Sequence, residues 1–375
     1  MIYLDSAATT LQKPDAVASA MAEAFHTMSS PGRGGYEAAM RAADIVFDCR
    51  SEIAGLFGVK DPARVVFTMN ATHALNLAIK SLIKPGGRAV ISGWEHNAVT
   101  RPLHALAAKV EVAQAPLFAP EETLGAFDAL ISPKTDAVIC THVSNVFGAV
   151  QPVEGIAAIC RERGVPLIID ASQSAGVLPL DLEALGARFI AMPGHKSLYG
   201  PQGTGVLLCG GEQEAHPLLE GGTGSLSLQQ EMPEFLPDRL EAGTHNVPGI
   251  AGLLAGVRYV KNRGTSQICQ RERMLADQAA KELEGLPGVR AYALPGVPGQ
   301  TGVVSFTVEG RDSEEIGGLL GEKGVAVRAG LHCSPLAHRS AGTLERGTVR
   351  LSFSDFNTGE EVERFLDTLR GILLG

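Results

Sequence analysis

The sequence predicts an α/β fold built on an open sheet, and three observations carry that prediction. Between residues 64 and 209, short apolar runs alternate with segments of helical period. Two of the runs end abruptly in charge: Pro166 to Ile169 stops at Asp170, and Arg188 to Met192 stops at Pro193-Gly194-His195-Lys196. The chain, with 375 residues and 45% hydrophobic content, is long enough to bury a large core and to form two domains.

In chain order, Val17, Ala20, Met21, Ala24, Phe25 and Met28 fall at helical spacing, and Tyr36, Met40, Ala43 and Phe47 open a second helix. The Gly-rich stretch Ser29 to Gly35 between them reads as a loop. Arg64 to Thr68 is a strand, and Asn70-Ala71-Thr72 leads into a helix with Leu75, Ala78, Ile79 and Leu82 on one face. Strand Arg88 to Ser92 precedes a helix expected from about Ala98 to Lys109, and strand Ala137 to His142 precedes a helix over 153 to 163. After Lys196, Gly200-Pro201-Gln202-Gly203-Thr204-Gly205 reads as a turn, because no Lys-Ser/Thr follows and strand Val206 to Cys209 comes straight after. Residues 210 to 250 are rich in Gly and Pro. From Val247 to Leu286 the pattern is helical, and strands near 289–293, 302–308, 325–328 and 348–352 with helices near 312–323 and 358–374 complete the chain. The expected division is an N-terminal segment 1–14 packing with the small domain, a large domain 15–250 and a small C-terminal domain 251–375.

Composition excludes several function classes. A net charge of -9 with no dense Lys/Arg run argues against nucleic acid binding. The start, Met1 to Thr10, has neither a basic stretch nor a long apolar one, and no later run approaches a membrane span, so a cytoplasmic protein is expected, away from membranes. Six cysteines without a Cys-x-x-Cys pair fit neither a disulfide framework nor a zinc site, and no metal is expected.

The two charged strand ends point to chemistry. In open α/β sheets ligands lie beyond the carboxyl ends of the strands, so Asp170 and Lys196 can face one small molecule there. Pyridoxal phosphate (PLP) needs that pair: a lysine amine to condense with its aldehyde, and a carboxylate to keep the pyridine nitrogen protonated. The strand-to-helix junction at Ala71-Thr72 exposes free backbone N–H groups and a hydroxyl, a cradle for a phosphate, although Asn70 and Thr72 equally read as helix caps. Cys333, beside His332 and near arginines just after a strand, reads either as a reactive thiolate or as an inert buried cysteine.

These segments resemble the class V aminotransferases of PLP fold type I, and within them the group II cysteine desulfurases and selenocysteine lyase-like enzymes. The resemblance rests on Asp170-x-x-Gln173, the His195-Lys196 pair, Thr141-His142-Val143-Ser144-Asn145, Glu241-Ala242-Gly243-Thr244, Arg328-x-Gly330-x-His332-Cys333 and the closing Asn357-Thr358-x-Glu360-Glu361. It implies a large domain with a mostly parallel seven-stranded sheet, a smaller α/β domain carrying the active-cysteine loop, and a homodimer. By the same resemblance Lys196 holds PLP and moves protons, Asp170 stabilises the ring cation, and His96 stacks on the ring. Gln173 bonds the ring oxygen, and Asn145 the ring oxygen or the substrate carboxylate. His195 precedes the lysine as in the family, Ala71 and Thr72 hold the phosphate, and Thr244 reaches the neighbouring subunit's phosphate. Arg350 pairs with the substrate carboxylate, Arg33 and Arg328 lie near the substrate, and Cys333 takes sulfur from L-cysteine as a persulfide. The implied partners are L-cysteine or L-selenocysteine and a sulfur-acceptor protein, with iron–sulfur cluster assembly as the destination. Two departures stand out: Gly32 replaces the histidine usual before Arg33, and Pro193 replaces a serine usual at the phosphate. The alternatives are a selenocysteine lyase or another class V enzyme that does not require Cys333 and, ranked below them, a non-catalytic sulfur-carrier or scaffold subunit.

Overall fold

The computed structural model of the chain describes residues 1–32, 34–211 and 215–374. Arg33 therefore lies outside the described residues. In chain order the strands are β1 (Ile2–Tyr3), β2 (Val65–Thr68), β3 (Arg88–Ser92), β4 (Lys109–Ala113), β5 (Ala137–Thr141), β6 (Leu167–Asp170), β7 (Phe189–Pro193), β8 (Gly205–Cys209), β9 (Val289–Tyr292), β10 (Val303–Val308), β11 (Val325–Ala326), β12 (Arg328–Gly330) and β13 (Thr348–Ser352).

Seven strands form one sheet in the order β2-β8-β7-β6-β5-β3-β4, in which only β8 runs against the others. Every residue of β5, β6, β7 and β8 is buried, as expected for central strands covered on both faces. Separate apolar clusters cover those faces: Ile169, Ile190 and Leu208 belong to one, and Ile168, Phe189 and Leu207 to the other. The seventh strand corrects the sequence reading. The helix expected to run to Lys109 ends at Ala105, and Lys109 to Ala113 forms the parallel edge strand β4. Its alternating Lys109-Val110-Glu111-Val112 suits an edge and carries no long apolar run.

A four-stranded antiparallel sheet, β12-β13-β10-β9, has its own core around Phe306, Leu351 and Phe365. β1 pairs in parallel with β11 beside it. The change of core does not fall at residue 250. The helix Val247–Arg263 packs Ile250, Leu253, Leu254 and Val257 into the core of the large sheet, and the chain turns at Gly264 into the helix Thr265–Glu284, which packs on the second core. One glycine bears directly on the site. Gly176 has φ +89°, and a Cβ there would lie 2.3 Å from the carbonyl oxygen of Ser197, so a side chain would displace the turn holding Lys196.

Candidate active site

The carboxyl ends of β3, β5, β6 and β7 meet the four-stranded sheet at a cavity of about 210 Å³. Among the described residues, every site residue expected from sequence lines it except Thr244. Two larger clefts, of about 720 and 740 Å³, contain none of these residues, so the chemistry of the lining identifies the site and size does not.

Asp170 ends β6. One of its carboxylate oxygens accepts the Ser172 N–H at 2.9 Å, and no other protein donor reaches it among the described residues. Lys196 follows β7 through Gly194 and His195. Its amine is pushed down to about 8, chiefly by burial and further by Arg350 and Arg328, while Asp170 holds it up. His96 caps the helix Asn97–Ala105: its Nδ1 accepts the Ala98 N–H at 3.0 Å, which leaves the proton of the neutral ring on Nε2. Burial pushes its pKa down to about 4. The site therefore contains a neutral imidazole, a carboxylate and a lysine that loses its proton readily.

The phosphate end is built from a helix N-terminus. Asn70, not Thr72, caps the helix Ala71–Leu82 by accepting the His73 N–H at 2.9 Å. The N–H groups of Ala71 and Thr72 and the Thr72 hydroxyl have no protein acceptor among the described residues, and both residues line the cavity. This is the electrostatic arrangement that binds a phosphate. Pro193 also lines the cavity and supplies no donor. Thr244 is exposed and lies in a different cavity of its own chain, beside Met69 and Leu219.

The N-terminal segment braces the lysine turn, a role the sequence did not signal. The His195 carbonyl accepts from the Thr10 N–H at 3.2 Å and from the Thr9 and Thr10 hydroxyls, and His195 Nδ1 lies 3.0 Å from Thr9 Oγ1. Gln173 is drawn into the same brace, donating from Nε2 to the Ala7 carbonyl at 3.0 Å.

At the opposite wall Arg328 and Arg350 stand directly across from each other on β12 and β13. Like charges so placed repel, which Asp5 offsets in part at Arg350 and a bound carboxylate would offset further. Arg350 is only 2% exposed. It donates to the Asn145 carbonyl at 2.8 Å and to Asp5 Oδ1 at 2.7 Å, and its Nε–H is buried without a partner. Of its five donors, three stay free for a substrate carboxylate. Asp5 is a site residue that sequence reading missed; its only signal was a polar turn after a two-residue strand.

Cys333 is the one exposed cysteine, whereas Cys49, Cys140, Cys160 and Cys209 are buried and their thiols are pushed up in pKa by burial. The reading of His332 as an aid to a thiolate is corrected. Burial, and then Arg350, pushes His332 down to about 2, and its Nε2 lies 3.1 Å from both the carbonyl oxygen and Oγ1 of Thr348. It is a neutral anchor. His332 and Cys333 have φ +49° and +57°, a left-handed pair that costs about 1–2 kcal/mol per residue.

The Aminotransferase class-V sequence profile matches residues 2–365. The chain belongs to the class V aminotransferase family. It is 34% identical over its whole length to a probable cysteine desulfurase of Mycolicibacterium paratuberculosis, of which it spans only 56%. It is 32% identical to a probable cysteine desulfurase of Methanothermobacter thermautotrophicus, covering 99% of this chain and 94% of that one. Among solved structures, the apo cysteine desulfurase of Thermococcus onnurineus NA1 superimposes with a TM-score of 0.91 at 32% identity, covering 100% of this chain and 95% of that one. The class V site thus stands on a fold shared with cysteine desulfurases.

Proposed function

We propose that the protein is a PLP-dependent cysteine desulfurase that converts L-cysteine to L-alanine and takes the sulfur on Cys333. The observation that carries this reading is that the only exposed cysteine lines the same cavity as Lys196 and Asp170. The residues fit the cofactor: unpaired N–H groups at Ala71 and Thr72 for a phosphate, an Asp170 oxygen with no protein donor for a ring nitrogen, and the neutral His96 ring beside them.

When bound, PLP supplies an electron sink for a carbanion at the amino acid's α-carbon. Arg350, through its free Nε–H, and Arg328 hold the α-carboxylate. Asn145 and Gln173 orient the ring, and Lys196 takes and returns a proton at Nζ, which its lowered pKa permits near neutral pH. The Cys333 thiolate attacks the substrate sulfur; the S–S bond forms as the C–S bond breaks, and the bonding electrons leave with carbon, which Lys196 protonates. The balance is L-cysteine plus the Cys333 thiol giving L-alanine plus a Cys333 persulfide, which a thiol reductant or a sulfur-acceptor protein then discharges, with iron–sulfur cluster assembly as its outlet.

A homodimer completes the site in this reading. Thr244 is exposed away from its own chain's cavity, and Phe25, Met40 and Phe47 are 72%, 57% and 62% exposed, an apolar surface that a second copy would cover. No helix among the described residues is long and apolar enough to cross a membrane. Six unpaired cysteines, one of them the proposed nucleophile, fit a reducing compartment such as the cytoplasm.

The test is release of alanine and sulfide from L-cysteine with PLP and a thiol reductant, by the wild type and by Cys333→Ala. Equal yields of both products, lost in the variant, are expected. Alanine release that persists in Cys333→Ala would remove the persulfide step, and no release by the wild type would remove the desulfurase reading.

A further inference from the structure

The amide of Asn145 makes two hydrogen bonds within the protein and keeps one Nδ2–H over for the ring. Its Nδ2 donates to the His332 carbonyl at 2.9 Å, and its Oδ1 accepts from the Ser334 hydroxyl at 2.6 Å. These are the residues on either side of Cys333. A third bond comes from the Asn97 N–H, the first in the helix that His96 caps, which donates to the Cys333 carbonyl at 2.8 Å. Ser334 is fully buried, and His332 is 5% exposed and bonded to Thr348, so Cys333 projects from a loop fixed on both flanks. Holding the loop takes several bonds because His332 and Cys333 both adopt the left-handed backbone that non-glycine residues avoid.

We propose that Asn145 positions Cys333: one side chain clamps the residues before and after the cysteine and ties the sulfur-accepting loop to the arginine that faces the substrate. The tie to the arginine is the Asn145 carbonyl, which accepts from Arg350. Arg350 thus fixes the Asn145 backbone while the Asn145 amide fixes the loop, and the thiol keeps one distance from the carboxylate site. The clamp joins residues 187 and 189 positions apart, one on the loop after β5 and the others between β12 and β13. The role rests on the desulfurase reading for its purpose, whereas the clamp itself is made entirely of protein groups.

Amide hydrogen exchange of the cofactor-free full chain tests it, in the wild type, Asn145→Ala, Asn145→Asp and Ser334→Ala. The Asn97 amide has no acceptor within its helix, so its protection reports the docking of Cys333 directly. Peptides covering 95–100 and 329–337 are expected to exchange about tenfold faster in Asn145→Ala, the factor given by losing one to two hydrogen bonds. Asn145→Asp sets a carboxylate against the His332 carbonyl and is expected to loosen the loop similarly, and Ser334→Ala about threefold. Peptides from β6 and β7 should be unchanged. Equal exchange in wild type and variants at both peptides overturns the proposal, and so does faster exchange spread over the whole chain. In the loaded enzyme Ser334→Ala should lower kcat for alanine formation with KM for L-cysteine held; a change in KM alone overturns the positioning role. If the wild type forms no alanine, the desulfurase reading fails while the exchange result still decides the clamp.

Discussion

Two loops meet in the cavity, and they are held by opposite means. The turn bearing Lys196 leaves a central strand buried on both faces, crosses Gly194, and is braced by backbone and hydroxyl groups of the N-terminal segment. Lys196 keeps a negative φ, and the one left-handed non-glycine residue of the turn is Tyr199, three residues on (φ +56°). The loop bearing Cys333 leaves a three-residue edge strand, takes two consecutive left-handed residues, and is held mainly by the side chains of one asparagine, one serine and one buried histidine, with one backbone bond from Asn97. The first is positioned by secondary structure and the second by side chains. Side-chain bonds of this kind break one at a time, so substitution of a single partner should loosen the cysteine loop more readily than the lysine turn.

The comparison breaks most sharply at Lys196. On the proposed reading, Lys196→Ala should lower alanine formation by about 10⁴-fold or more, since it would remove both cofactor attachment and proton transfer. It should also abolish the visible absorbance that PLP acquires on the wild type, with the thermal midpoint of the cofactor-free protein nearly unchanged. A variant that lost its fold instead would show the lysine turn to be as delicate as the cysteine loop.

The next effect lies under the cofactor half. Glu95 is fully buried behind His96, with Oε1 accepting the Thr141 N–H at 2.7 Å and close to the Ser92 hydroxyl, and Oε2 without a partner. Burial raises its pKa from 4.5 to about 8. Between those pH values the native state keeps a proton that the unfolded chain has released, so this group's contribution to stability falls as pH rises from 4.5 to about 8 and is flat above. Glu95→Gln cannot ionise. Its stability relative to wild type should therefore grow across that window, read as urea midpoints at pH 5, 6.5 and 8. A constant difference would mean that Glu95 is ionised in the folded protein.

The smallest effect sharpens the account of the cysteine loop. Cys333→Gly should be about 1 kcal/mol more stable than Cys333→Ala in urea denaturation, because glycine adopts a φ near +57° without the penalty that any Cβ incurs. Equal stability would mean that the loop stores no strain, leaving hydrogen bonds alone to set its geometry.

Much of the cofactor half was legible in the sequence, and the reason is local. A buried strand announces itself by a continuous apolar run, and the first polar residue after it must emerge at the strand's end, so Asp170 and Lys196 could be assigned to one edge of a sheet before any coordinates. The edge strand β4 was missed because Lys109 and Glu111 face solvent, and the alternation that remains is shorter than the helical pattern before it. The helical pattern from Val247 to Leu286 is two helices meeting at Gly264, and only the packing of Leu253 and Val257 under the large sheet shows where one core gives way to the other.

The sequence by itself determined the fold class, the lysine and aspartate at the strand ends, and a cysteine in a short motif after a strand, because each is written in neighbouring residues. Only the tertiary structure decided that Asp5 pairs with Arg350 across 345 positions, that His332 is a neutral anchor, and that Asn145 brackets Cys333. Those contacts join residues with no periodicity in common. They exist because two separate cores bring the carboxyl ends of one sheet against the edge of another, and burial there then sets which polar groups must pair and which stay neutral.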